Sequence, residues 1–208
     1  MAHQKQYKFT NDWFGITARA LWSDMINKIK MRRILEIGSY EGNSTCFLID
    51  NLSKKSPLEI HCIDTWEGGS EHSHEDMAAV EQRFLHNTEL AVANSKHHVD
   101  LVTHKGSSAQ ELSNLVAAGM QGYFDFIYVD GSHQAPDVLL DAVLGFQLLA
   151  VDGMMCFDDY LWSKGTIFHL DTLKSPKIAI DAFTNIYCRK MQIIQAPLCQ
   201  LFVTKVAA

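Results

Sequence analysis

Residues 35–44 read Leu35-Glu36-Ile37-Gly38-Ser39-Tyr40-Glu41-Gly42-Asn43-Ser44, a short apolar strand with one carboxylate in it, then a turn with two glycines, then the opening of a helix. Glycine is favoured where backbone turns sharply or lies close to another group, and a helix N-terminus offers N–H groups to an anion. This strand–turn–helix is the nucleotide-side signature of a doubly wound α/β sheet, whose ligand sits outside the carboxyl ends of the strands. Tyr40 stands where the fingerprint G-x-G-x-x-G needs its second glycine, which argues against a dinucleotide. Glu36 is costly in a buried strand unless paired, and a ligand ammonium would satisfy it.

Outward from this stretch, short apolar runs alternate with longer amphipathic ones, the pattern of βαβ units. Strands are expected at Arg33–Gly38, Leu58–Asp64, His98–Thr103, Phe124–Asp130 and Met154–Asp158, and helices at Asn43–Leu52, Glu75–Asn94, Ser108–Ala118 and Ala135–Leu149. Upstream, Asn11-Asp12 reads as an N-cap, and Trp13, Phe14, Ile16, Ala20, Leu21, Met25 and Ile29 recur at near-helical spacing, so one helix ending near Lys30 precedes the sheet. Downstream, Ser175-Pro176 starts another helix. Met191–Gln195 and Leu198–Lys205 are then separated only by Ala196-Pro197, too short for a parallel crossover, so the sheet closes with an antiparallel hairpin.

The 208 residues are enough for one domain, divided here into an N-terminal helical region, 1–31, and a Rossmann-like core, 32–208. A charged fraction of 20% and a hydrophobic fraction of 47% exclude a disordered or fibrous chain. With 18 Lys and Arg against 24 Asp and Glu, the net charge of -6 disfavours nucleic acid as a partner and favours a small molecule. No signal peptide is evident, and the longest apolar region, 138–157, is broken by Asp141, Gln147, Asp152 and Gly153, so no membrane span is expected. The five cysteines form no Cys-x-x-Cys, which fits a reducing cytoplasm.

Asp64 closes the second strand in His61-Cys62-Ile63-Asp64-Thr65-Trp66, where an acid can accept both hydroxyls of a ribose. A turn cap is the alternative. Lys105-Gly106-Ser107-Ser108 follows the third strand, and its hydroxyls and N–H groups either meet an adenine edge or cap the next helix. Together with Val129-Asp130-Gly131-Ser132-His133, these motifs resemble class I S-adenosylmethionine-dependent methyltransferases, in the branch of catechol-type and macrolide-sugar O-methyltransferases. The resemblance spans residues 10–205 and implies the strand order 3-2-1-4-5-7-6. It implies that Glu36, Gly38, Gly42 and Ser44 surround the methionine end of S-adenosylmethionine, Asp64 the ribose, and Ser107 with Ser108 the adenine. Ser39, Thr65, Gly106 and Asp130 complete the expected cofactor set.

The fourth strand ends at Asp130 and the fifth at Asp158-Asp159-Tyr160, so three carboxylates are expected to converge on neighbouring strands. Such a group either keeps its protons or binds a cation, and Mg2+ suits an oxygen-only set. The resemblance agrees, implying metal ligation by Asp130, Asp158 and Asp159. It departs from the catechol type at His133, which stands in place of a lysine base. Imidazole is suited to taking a proton from an acceptor hydroxyl. The expected catalytic residues are therefore His133 and Asp130, and the expected acceptor is a small hydroxylated metabolite such as a sugar, phenol or polyketide. Metal-independent transfer, a cofactor-binding protein without turnover, and an NAD-dependent dehydrogenase are the competing readings. The histidine-rich stretch 61–104 contains His72-Ser73-His74 without zinc-ligand spacing, so it reads as a solvated loop. Residues 66–76 can cover the cofactor and 161–174 can rim the acceptor. Trp13, Phe14 and Trp22 suit a dimer face, a lid or plain core packing.

Overall fold

A computed structural model describes residues 6–26, 31–69, 72–163, 171–197 and 199–208. Seven strands form one sheet: β1 (Arg33–Ile37), β2 (Leu58–Asp64), β3 (Val99–Lys105), β4 (Phe124–Val129), β5 (Leu149–Phe157), β6 (Met191–Ile194) and β7 (Leu201–Lys205). Their order is β3-β2-β1-β4-β5-β7-β6, with β7 antiparallel to both of its neighbours and the β1 to β5 pairings parallel. The expected strand order is met.

Helices α1 (Trp13–Thr17), α2 (Arg19–Met25), α3 (Asn43–Leu52) and α4 (Met77–Ala93) accompany one core cluster, with Trp22, Phe47 and Phe84 among its large side chains. Helices α5 (Ser108–Ala117), α6 (Ala135–Leu148) and α7 (Pro176–Ile186) cover the other face around Phe146, Phe157 and Phe183. Both faces are covered, which is why the central strands read as unbroken apolar runs.

Three expectations are corrected. The single first helix is two, broken at Ala18, where φ is -111°; Phe14, Ala18 and Trp22 are all buried in the core. Residues 27–30, where that helix was expected to end, lie outside the described residues. Strand β5 begins at Leu149, immediately after α6, because Asp152 at φ 65° and Gly153 take up a register shift within the β4–β5 pair. The C-terminal strands are joined through residues 195–200 rather than a two-residue turn, since Gln200 turns its side chain inward and its N–H donates to Pro197 O (3.3 Å). No helix among the described residues is long and apolar enough to cross a membrane.

Candidate active site

Strand β1 leaves the sheet at Gly38, whose φ is +85° and whose N–H donates to Ile63 O (2.8 Å). A Cβ there would lie 2.0 Å from Asp130 O, so the close approach of the β4 end demands glycine. Gly42, at φ +77°, begins α3, and a Cβ there would press on Phe84 and Thr88 of α4 at 3.1–3.2 Å. Both glycines were expected beside a ligand, and the space next to each is taken up by the protein's own chain. No side chain caps α3, which leaves its N-terminus to whatever lies against it.

Glu36 is fully buried. Its carboxylate accepts from Ser39 Oγ (2.9 Å), Ser44 Oγ (2.5 Å) and the Thr45 hydroxyl, with Cys62 Sγ at 3.6 Å. Burial raises its pKa and these donors oppose the rise. The partner that the sequence reading assigned to a ligand is thus supplied by the chain itself, and Thr45 is a participant that reading missed. Glu41 is a second buried acid of the same turn, held by the N–H and hydroxyl of Thr10 (both 2.7 Å) and by Arg83 Nε (2.5 Å).

Asp64 Oδ2 accepts from the N–H groups of Ser39 and Tyr40, and Oδ1 from that of Trp66, each at 2.8 Å. The acid therefore clamps the β1–α3 turn, using three of the roughly four acceptor positions of a carboxylate. Trp66 at φ 49° is buried, donates from Nε1 to Tyr40 O (2.9 Å) and packs on Phe84. Thr65 Oγ1 accepts from Glu67 N–H (3.1 Å). At the end of β3, Gly106 N–H donates to Asp64 O (3.0 Å), and Ser107 caps α5 by accepting from Gln110 N–H (3.3 Å). Ser108 opens that helix facing Asp141, a fully buried acid of α6 whose carboxyl oxygens make no hydrogen bond of ordinary geometry.

At the carboxyl ends of the neighbouring strands, β4 delivers Asp130 and β5 delivers Asp158 to adjacent positions. Tyr128, fully buried on β4, sends its hydroxyl between them, toward Asp130 Oδ2 (3.0 Å) and Asp158 Oδ2. Asp130 is raised well above the usual carboxylate range, first by burial and then by the charges of Asp158 and Asp159. Asp158 is raised as well, chiefly by burial. The chain turns at Asp159, φ 54°, so consecutive acids need not point to opposite faces: Asp159 Oδ2 meets His133 Nε2 at 2.8 Å. The His133 ring stacks on Trp162, with centroids 4.1 Å apart. These groups line a pocket with Pro176 and Ile180 whose volume, about 10 Å3, holds about one water molecule.

The three acids expected to ligate Mg2+ are neighbours with suitable donor chemistry. Among the described residues no group of three or more His, Cys, Asp or Glu is disposed to hold a metal. Asp130 and Asp158 turn to Tyr128, and Asp159 turns to His133.

Elsewhere, the first-helix aromatics divide. Phe14 and Trp22 are core, while Trp13 remains half exposed against Tyr40 (5.3 Å). Residues 70–71 of the expected cover and 164–170 of the expected rim lie outside the described residues. A groove of about 620 Å3 lined by Arg32, Arg33, Glu59 and Asp125 opens at the amino ends of the strands, opposite the acids. Arg33 and Asp125 there are paired at 2.7 Å.

A seven-stranded sheet of this order, with a glycine turn after β1 and acids closing β2, β4 and β5, is the architecture of class I methyltransferases. The chain belongs to a methyltransferase domain family, whose model matches residues 35–160. It is 24% identical over 151 residues to the probable caffeoyl-CoA O-methyltransferase 3 of Dictyostelium discoideum; the match takes in 72% of this chain and about half, 52%, of that protein. Among solved structures, an O-methyltransferase from Bacillus cereus in complex with SAH superposes with a TM-score of 0.60 at 18% identity, over 91% of this chain and 81% of the other. TomG, the O-methyltransferase of tomaymycin synthesis from Streptomyces achromogenes in complex with SAM, gives 0.61 at 18%, over 91% and 79%.

Proposed function

We propose that this protein moves a methyl group from S-adenosylmethionine to the hydroxyl oxygen of a small acceptor, and that His133 with Asp159 takes the hydroxyl proton. The observation that carries the reading is the 2.8 Å contact of His133 Nε2 with Asp159 Oδ2, beside Asp130 and against the Gly38 turn. When bound, S-adenosylmethionine supplies an electrophilic methyl on a cationic sulfur. The residues present fit it: the uncapped end of α3 suits a carboxylate, Asp64 keeps one acceptor position for a ribose hydroxyl, and Gly106, Ser107 and Ser108 line the approach for adenine. Glu36, closed off by Ser39, Ser44 and Thr45, shapes the turn from behind. With Nε2 donating to Asp159, the acceptor proton passes to Nδ1, Asp159 carries the charge of the imidazolium, and Trp162 fixes the plane of the ring. The similarity to O-methyltransferases supports this reading.

A divalent cation is the second reading. The raised pKa values of Asp130 and Asp158 favour it, because mutual repulsion of carboxylates is what a cation relieves. Calorimetry of S-adenosylhomocysteine with and without Mg2+, followed by methyl transfer to a panel of phenols and sugars, tests both readings. Micromolar binding and transfer that persists in EDTA support His133 acting without metal. Transfer abolished by EDTA and restored by Mg2+ supports the second reading, and absence of cofactor binding by folded protein overturns both.

A further inference from the structure

The loop between β6 and β7 places one more polar side chain at the acids, and the proposed reaction has not used it. Antiparallel pairing of β5 with β7 ends at Phe157↔Leu201, so the next residue of each strand, Asp158 and Gln200, face one another across the same edge. The hydrogen bond from Tyr160 N–H to Cys199 O (3.2 Å) holds the two segments together just beyond.

Gln200 is 1% exposed. Its Oε1 accepts from Nε1 of Trp22 (2.9 Å), a fully buried side chain of α2. An indole N–H can only donate, so this bond fixes which end of the amide is which. Oxygen faces Trp22 and Nε2 faces the acids. Nε2 is buried, has no hydrogen-bond partner of ordinary geometry among the described residues, and is directed at Asp158. Asp158 is otherwise held by the N–H of Asp159 (2.9 Å) and by the Tyr128 hydroxyl that also reaches Asp130. The chain Trp22, Gln200, Asp158, Tyr128, Asp130 thus runs from the N-terminal helices across the carboxyl edge of the sheet.

We propose that Gln200 is a positioning residue for methyl transfer: anchored by Trp22, it presents its amide N–H groups to Asp158 and so sets the placement of Asp158 and, through Tyr128, of Asp130 at the acceptor oxygen. The proposal rests on the acceptor lying beside these acids, as in the proposed function. A merely structural Gln200 would lower stability and leave turnover per folded molecule unchanged. A positioning Gln200 lowers kcat instead, because misplacement of a group at the reacting atoms is felt in the transition state.

The test compares wild type with Gln200→Leu, Gln200→Glu, Trp22→Phe and the double variant Trp22→Phe/Gln200→Leu, each assayed below its own unfolding temperature. The expected result for Gln200→Leu is a kcat about tenfold lower, with the affinity for S-adenosylhomocysteine within twofold of wild type. Gln200→Glu keeps an oxygen for Trp22 but loses the donor, so its kcat is as low as that of Gln200→Leu. The double variant loses no more than Gln200→Leu alone, since Trp22 acts through Gln200. A kcat within twofold of wild type in both Gln200 variants, or losses that multiply in the double variant, overturns the proposal. If wild type transfers no methyl to any acceptor, the proposed function has failed, and 13C NMR of protein labelled at Asp carboxyl carbons decides this inference separately. Trp22→Phe and Gln200→Glu must then both move the Asp158 signal and leave that of Asp125 in place; an unmoved Asp158 signal overturns it.

Discussion

The carboxylates on the two sides of the β1–β4 junction live under opposite regimes. On the β1–β2 side, Glu36 has three hydroxyls and a thiol, Asp64 has three backbone N–H groups, and Glu41 has Thr10 and Arg83. On the β4–β5 side, Asp130 and Asp158 share one Tyr128 hydroxyl, and burial together with neighbouring carboxylates pushes the pKa of Asp130 up. Glu36 is also raised, but there the donors oppose burial; at Asp130 the nearby charges add to it. On the first side, each carboxylate is held by donors of the chain itself, and together they hold a turn in place. The second keeps its electrostatic balance open, the state in which a proton, cation or acceptor oxygen makes the largest difference.

The sharpest way to separate the sides is His133→Ala. Transfer should fall at least a hundredfold, while affinity for S-adenosylhomocysteine stays within twofold, read by single-turnover kinetics and calorimetry. An equal loss of both would erase the distinction. Gly38→Ala should break the two sides together, because the added Cβ meets Asp130 O and the backbone is left-handed. A loss of about 3 kcal/mol is expected, a fall of about 6–12 °C in thermal unfolding.

Asp141 offers a third regime, a buried carboxyl with no hydrogen bond of ordinary geometry, pushed up to about 7 by burial. Below pH 4 both folded and unfolded chains hold its proton. Between pH 4 and 7 the unfolded chain releases it and the folded chain does not, so stability falls as pH rises and is level above 7. Asp141→Asn should remove that fall, gaining about 4 kcal/mol on wild type between pH 4 and pH 8 in urea titrations. Smallest of all, Asp64→Ala should weaken S-adenosylhomocysteine about tenfold, or about 1.4 kcal/mol, through loss of the clamp on the turn. Unchanged affinity would show that the turn keeps its shape without its carboxylate.

Strand order and helix placement were legible because covered strands and amphipathic helices leave different periods in the sequence. Glycine at 38 was legible as a turn, yet its reason, the carbonyl of Asp130, comes from a strand far away in the chain. The acids were legible as a group from the ends of β4 and β5. Their partners were not: Tyr128 reads as one more apolar residue of β4, and nothing local marks Gln200 as the neighbour of Trp22 and Asp158. The break at Ala18 was hidden too, since the spacing of Trp13 to Met25 suits one helix.

The position of β7 between β5 and β6 has a consequence for synthesis. A nascent chain leaves the ribosome N-terminus first, so β1 to β4 can pair while β5 still lacks one neighbour, which arrives only after α7 and β6 have been made. Until then β5 shows an open edge through Met155, Cys156 and Phe157, all fully buried in the finished protein. The half of the molecule suited to the nucleotide can therefore assemble early. The half that carries Asp158 and Asp159 matures last, and that interval is when the growing chain is most exposed to edge-to-edge aggregation and most in need of chaperones.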